Sequence, residues 1–339
     1  MPGCASSTRQ TPDASTATSV AATAGPQVSD PAPRATYDEW APHVASSLIF
    51  YGVQGGVQGT GQAPPSNEPP VPGSAFRQPV ATYLAYSDRQ LGPMLRRVQA
   101  LQTALQEDSR PAAKEAWQGA FADYLRLGAV YLEGKIGALD QAIDGNAGGL
   151  AGGTSSPQFS GLHRLEFGLW TGASLASLEP WADKLATDVT KLRGVLPNVH
   201  ISPLDYATRA HEILEDAVRD LLSGTDVPWS GQGVVGTRSG VVATTEVVKT
   251  LAPLLSSREN VLPVVRQDMG ELRATIASIA AAHGGSLPSN GELTQPQAEQ
   301  LDASIGQALE ALAQIPGALE TAPTPQVPAI PKSAIQIVP

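Results

Sequence analysis

Apolar residues recur at helical spacing along most of the chain, and this periodicity is the strongest constraint on its fold. Between Val80 and Leu105, valines and leucines follow one another at intervals of three, four or seven residues. Residues at these intervals share one face of an α-helix. No series of segments shows the alternating pattern of half-buried strands. The sequence therefore predicts an all-α fold of antiparallel helices with mostly short connections.

Proline and glycine mark where individual helices begin and end. Pro111 suits the first turn of a helix that we predict to run unbroken from residue 110 to residue 144, and Gly145 suits its end. The pair Gly92-Pro93 predicts a kink or an interruption in the preceding helix, because proline lacks the backbone N–H that a helix interior needs.

Composition divides the chain into four predicted parts. They are a disordered tether (1–33), an irregular N-terminal segment (34–76), a helical domain (77–320) and a Pro-rich C-terminal tail (321–339). Two Gly-rich stretches, 53–73 and 145–159, are predicted to be surface loops. No run of about 18 apolar residues occurs, so no membrane-spanning helix is expected.

Charge and cysteine content narrow the functional classes. The net charge of −10 argues against a nucleic-acid-binding surface, which requires a basic patch. It suits a protein that meets cations or basic partners. The single cysteine, Cys4, excludes an intramolecular disulfide, so packing must hold the fold together.

The N-terminus allows two interpretations of Cys4. The start MPGCASS resembles the end of a bacterial lipoprotein signal, in which a small residue precedes the cysteine that is lipidated. On this hypothesis the signal peptide is missing from the chain, and the protein meets the membrane only through a lipid anchor. The alternative is a free cysteine in a disordered tail.

The stretch GLHRLEFGLW, residues 161–170, places a histidine and a glutamate three residues apart in apolar surroundings. His163 and Glu166 share a helix face, where they can coordinate one cation or hydrogen-bond each other. A metal site needs more ligands, which must come from other helices. The strings H-E-x-x-H and H-x-x-E-H are absent, and di-iron bundles use the opposite order, Glu-x-x-His. The spacing leaves a metal site and a buried structural pair open.

The longer string FSGLHRLEFGLW, residues 159–170, resembles the signature of the imelysin/EfeO family, Gly-x-His-x-x-Glu followed by Leu-Trp or Leu-Phe. Three further stretches are similar to the family: LDQAIDG at 139–145, AHEILEDAVRDLLSGTD at 210–226 and VVKTLAPLL at 247–255. The resemblance covers about residues 77–320. It implies an extracytoplasmic, all-α protein made of two packed antiparallel helical bundles.

The resemblance also implies a function in iron uptake. EfeO-type members are taken as the iron-binding component that serves a membrane iron permease. We therefore expect an iron site, with zinc or copper as alternative metals, and a permease as partner. The candidate ligands are His163, Glu166, Glu215, Glu133 and Asp140. Residues 34–76 are too short for the cupredoxin-like domain of many EfeO proteins, so the shorter type is expected.

Some candidate positions have competing interpretations. Asp140 and Asp144 could act as ligands or only shape the end of their helix. His211 and Glu215 lie four residues apart and could cap a metal site from a facing helix, but we favour a solvated helix face for His211.

One departure from the family supports a different function. EfeO-type members often carry Glu-x-x-Glu before the LD-x-x-ID stretch, and an ungapped count places those positions at Leu127 and Val130, both apolar. Glu133, about one turn later, could substitute. Without these ligands the chain would be a helical surface scaffold that has lost its metal site. The family's peptidase label gives a weaker alternative, a metallopeptidase, although the sequence offers no assignable general base or nucleophile.

Overall fold

A computed structural model describes residues 71–130, 135–148, 150–258 and 261–319. Over these residues the elements are α-helices with short 3₁₀ and π turns, which confirms the all-α prediction. The helices are α1 (Arg77–Gln106), α2 (Arg110–Leu125), α3 (Lys135–Ile143), α4 (Gly161–Thr171), α5 (Glu179–Val195), α6 (Pro203–Asp216), α7 (Gly233–Leu255), α8 (Val261–Ala282), α9 (Gln295–Leu312) and α10 (Gln314–Leu319). Cys4, Glu133 and the predicted C-terminal tail lie outside the described residues.

The described helices pack around a continuous apolar core. Helix α1 packs against α2 and α5, α6 packs against α7, and α8 packs against α9. Trp117 and Phe121 of α2 are fully buried and stack at a centroid distance of 5.1 Å. Helix α4, which carries His163, packs against α2 and α5. None of the described helices is both long enough and apolar enough to cross a membrane.

The predicted unbroken helix over residues 110–144 is wrong. Helix α2 ends at Leu125, and a 3₁₀ turn over Gly128–Val130 follows before α3 begins at Lys135. Tyr83 of α1 stabilises the break, because its hydroxyl donates to the Leu127 carbonyl (3.0 Å) and accepts from the Ala129 N–H (3.2 Å). A buried tyrosine thus satisfies backbone groups that a continuous helix would have paired within itself.

The two apolar residues at the family's acidic positions belong to the core. Leu127 is 1% exposed and lies just before this 3₁₀ turn, and Val130 is 3% exposed and lies within it. A carboxylate at either position would be buried among apolar side chains without a partner, which is costly. Any metal ligands of this protein must therefore come from other positions.

Of the kink or interruption predicted at Gly92-Pro93, the interruption does not occur, because α1 continues through Pro93. Its neighbours Leu91 and Met94 are fully buried. Each such side chain contributes about 1.5–3 kcal/mol when it leaves water. Burial on both sides of the proline offsets the single backbone hydrogen bond that the ring removes.

Candidate metal centre

The N-terminus of α4 is fixed against the C-terminal end of α3. The His163 backbone N–H donates to the carbonyl of Asp144 at 3.0 Å. The indole N–H of the buried Trp117 donates to the Leu162 carbonyl at 2.8 Å. The first bond holds the first turn of α4 beside Asp144, the residue that follows α3, and the second ties that turn to α2. Asp144 and His163 are therefore neighbours.

Two glycines make this close approach feasible. Gly145 and Gly161 have φ values of +79° and +70°, a region that residues with a Cβ rarely adopt. A Cβ at Gly145 would lie 1.7 Å from the Ser160 carbonyl oxygen, and one at Gly161 would lie 2.3 Å from the Ile143 carbonyl oxygen. The backbone contact between the two segments therefore requires glycine at both positions.

Glu166 binds one nitrogen of the His163 ring and is itself anchored. Its Oε2 lies 3.1 Å from His163 Nδ1, and its Oε1 accepts the Ser230 backbone N–H at 2.8 Å. The Glu166 side chain is fully buried. A carboxylate that accepts from Nδ1–H fixes the tautomer in which Nε2 is free to bind a metal. Glu166 thus orients the imidazole.

The other ring nitrogen faces two carboxylates from different parts of the chain. His163 Nε2 lies 3.3 Å from Oδ1 of Asp144 and 3.3 Å from Oδ1 of Asp226. Nε2 is buried and makes a well-aligned hydrogen bond to neither. One ligand atom from each of the three residues lies within 4.8 Å of the other two. We call Asp144, His163 and Asp226 the triad.

The charges of His163 and of the carboxylates around it stabilise one another. Burial opposes a positive charge on His163, but the carboxylates of Asp144, Asp226 and Glu166 outweigh burial and raise the pKa of the imidazole well above its ordinary value. Burial likewise favours a neutral Asp226, yet its contacts with His163 hold the pKa of that carboxyl below its usual range. Three carboxylates surround one imidazole, so the site has a surplus of negative charge that suits a cation.

Asp226 is positioned by a π-helical turn and by the loop after α3. The turn spans Ala217–Leu222 and directly follows α6. The Asp226 N–H donates to the Asp220 carbonyl at 2.9 Å, and the Asn146 side-chain amide donates to Asp226 Oδ1 at 3.0 Å. Widened π turns are rare and are often found at functional sites.

The triad opens onto an acidic cavity of about 220 Å³. Its carboxylates are Asp140, Asp144, Asp216, Asp220 and Asp226. Arg219 pairs with Asp216 at 2.6 Å and with Asp220 at 2.8 Å. Burial raises the pKa of Asp140 to about 7, even though the Tyr124 hydroxyl donates to its carboxylate. Asp144 and Asp226 are 26% and 16% exposed against 2% for His163, so the triad is reached from the carboxylate side.

The predicted ligands take different places around this centre. His163 belongs to the triad, Glu166 lies on the far side of its ring, and Asp140 lines the cavity without joining the triad. Glu215 is 42% exposed, with Oε2 3.8 Å from His211 Nε2, and is also outside the triad. The missed residue is Asp226. It is the last residue of the 210–226 stretch that resembles the family, and this similarity is the sequence feature that could have identified it.

His211 is buried, and the predicted solvated helix face is wrong at this position. Its exposure is only 1% because α6 packs against α7, α9 and α10. Burial, together with the nearby Arg209 guanidinium, lowers the pKa of His211 to about 4.

The buried His211 predicts a fall in stability with acid. In the unfolded chain His211 binds a proton near pH 6.5, whereas in the folded chain it does so only near pH 4. The free energy of unfolding is therefore unaffected by His211 above pH 6.5 and declines as the pH falls towards 4. At 1.36 kcal/mol per pKa unit, the loss is about 3 kcal/mol. Urea unfolding of wild type and His211→Gln measures it. We expect a shallower decline in the variant, and equal slopes would contradict this assignment.

The chain is thus an all-α protein in which a buried histidine meets carboxylates from separate segments. Such a cluster could hold a metal ion. The profile of the imelysin (Peptidase_M75) family matches residues 80–226, a range that contains the whole triad. The resemblance drawn from the sequence is confirmed, and the chain is similar to imelysin/EfeO-like proteins.

The relatives of the chain are distant and longer. It is 21% identical over 242 residues to the iron uptake system component EfeO of Yersinia pseudotuberculosis, covering 71% of this chain and 64% of that protein. It is 24% identical over 182 residues to the EfeO protein of Escherichia coli O1:K1, covering 53% of this chain and 48% of that protein. The chain thus spans between about half and just under two thirds of the length of these curated relatives.

Proposed function

We propose that this protein is an extracytoplasmic component of an iron-uptake system and that the triad holds the iron. The observation that carries the proposal is the buried Nε2 of His163, which faces carboxylate oxygens of Asp144 and Asp226 without a well-aligned hydrogen bond to either. A buried, directed donor atom between two anions is the arrangement expected of a ligand that receives a cation.

The donor set suits iron. One imidazole nitrogen and two carboxylate oxygens form a hard, anionic set with no thiolate or thioether, which are the ligands that soft Cu(I) prefers. Zinc accepts the same donors and is the alternative that a binding experiment must separate. The exposed side of Asp144 and Asp226 leaves coordination positions open to the cavity. A carrier needs such access, because it must release its cargo.

The iron is then delivered to a membrane permease. The support for this delivery is the similarity to proteins named as iron uptake system components. A lipid anchor on Cys4 would keep the carrier near such a permease.

The scaffold alternative predicts that His163 and Glu166 bond only each other beneath apolar side chains. They do bond each other, but the second nitrogen of the ring faces Asp144 and Asp226. A purely structural pair does not require two further carboxylates at that nitrogen. The geometry therefore favours binding over the scaffold function.

Calorimetric titration of the purified chain tests the proposal. Iron(II) under anaerobic conditions is expected to bind at one site with an affinity near micromolar, about 8 kcal/mol. His163→Ala is expected to abolish that binding. His200→Ala, at an exposed histidine, is the matched control and should bind as wild type does. Wild type that binds no iron, or binds only zinc, would contradict the proposed function.

A further inference from the structure

A second cavity, of about 500 Å³, shares no lining residue with the acidic one and differs from it in charge. It is bounded by α1, α2, the start of α7 and the connection between α8 and α9. Its cationic residues are Arg97 of α1, Arg126 at the end of α2 and Arg238 of α7. Its volume lies within the range of about 300–1,000 Å³ that is usual for small-molecule sites.

The carboxylates of this second cavity leave two of its arginines unpaired. Asp123 pairs with Arg126 at 2.8 Å. Glu292 is used as a cap, because it accepts the backbone N–H and the hydroxyl of Ser289 at 2.8 Å each. Glu115 is exposed, and no ion pair links it to an arginine within the described residues.

Arg97 and Arg238 make no ion pair and no hydrogen bond with any residue of the described chain. In the acidic cavity, by contrast, Arg219 and Arg209 are both paired with carboxylates. Both side chains are exposed, so the second cavity presents guanidinium donors that face solvent and that no described residue satisfies. A guanidinium offers five N–H donors in a planar fork, which matches carboxylate and phosphate oxygens.

Two of the three arginines, Arg126 and Arg238, stand close enough to affect one another. Partial burial and the nearby Arg126 guanidinium lower the pKa of Arg238. The stem of Arg97 lies across Gly119 of α2, where an added Cβ would come within 2.8 Å of its Cδ and Nε. Bare backbone at Gly119 thus makes room for Arg97 at the cavity. An anion placed between these guanidinium groups would reduce their mutual repulsion.

We propose that this cavity, lined by Arg97, Arg126 and Arg238, binds a small oxyanion with at least two negative charges, either a polycarboxylate or a phosphate. The polar amides of Gln118 and Gln232, which bond each other at its wall, supply further donors. The inference does not depend on the triad, since none of its residues lines this cavity.

Calorimetric titration of metal-free protein at low salt tests this proposal. Citrate and inorganic pyrophosphate are the probes, and singly charged acetate is the reference. Wild type is expected to bind at least one probe well above acetate, and the better probe distinguishes the carboxylate source from the phosphate source. Since each guanidinium would donate charge-assisted hydrogen bonds to the anion, Arg238→Gln and Arg97→Gln should each weaken binding about tenfold or more.

Two controls separate this site from general charge effects and from the triad. Arg266→Gln removes an exposed arginine of α8 that makes no ion pair or hydrogen bond within the described residues, and it should bind as wild type does. His163→Ala should also retain anion binding. Thermal unfolding without anion should be no lower in Arg238→Gln, because a repelled charge is removed. No binding of either probe by wild type, equal binding by Arg238→Gln, or a loss in His163→Ala would overturn the proposal.

Discussion

Replacing Gly145 with alanine is expected to destabilise the fold by about 3–5 kcal/mol, among the largest effects of any single substitution in this chain. The alanine Cβ would lie 1.7 Å from the carbonyl oxygen of Ser160, which is backbone and cannot rotate away. The φ of +79° adds strain of its own. Relief of the clash requires the end of α3 to move away from the start of α4.

Thermal unfolding measures this effect, with an expected fall in Tm of about 10 °C. Gly194→Ala is the matched control, because a Cβ at Gly194 meets nothing within 4 Å and the residue lies inside α5. That control should be neutral, or more stable by up to about 1 kcal/mol. Equal melting temperatures for Gly145→Ala and wild type would show that the two segments do not approach as described.

Replacing Asp226 with asparagine is expected to lower iron affinity about 100-fold or more. The change keeps the shape of the side chain but removes one of the two carboxylates that face His163 Nε2. Even the loss of a group that only supports a ligand typically costs 10–100-fold, so the loss of a ligand should cost at least as much. The amide also leaves the Asn146 side chain facing a weaker acceptor.

The matched control for this prediction lies in the same cavity. Asp220→Asn removes a carboxylate that lines the cavity but is outside the triad. Its effect on iron affinity should be within a few-fold, because only the general negative field changes. If Asp220→Asn and Asp226→Asn weaken binding equally, the cavity attracts cations only diffusely and the triad is not the site.

Much of the fold follows from local sequence signals. Apolar periodicity and Pro111 mark α1 and α2, and Gly145 marks the end of the segment that contains α3. The break at Gly128 could not be predicted, because its hydrogen bonds come from Tyr83, 44 residues earlier in the chain. Helix propensity describes neighbours along the chain and carries no information about such a distant partner.

The site was predictable only in part. The i, i+3 spacing correctly indicated that His163 and Glu166 are neighbours. The spacing could not assign Glu166 to Nδ1, since that role depends on the Ser230 N–H, 64 residues away. Asp226 follows a π turn and a loop, which interrupt the helical periodicity. Without that periodicity, the sequence could not predict that Asp226 faces the ring.

The central claim is that Asp144, His163 and Asp226 together hold iron. Anomalous diffraction at the iron edge, from crystals grown or soaked with iron(II), tests this claim most directly. The account predicts one strong anomalous peak within bonding distance of His163 Nε2 and of one oxygen from each aspartate. A peak elsewhere in the acidic cavity, or iron bound at another surface while His163 keeps its aspartate contacts, would contradict it.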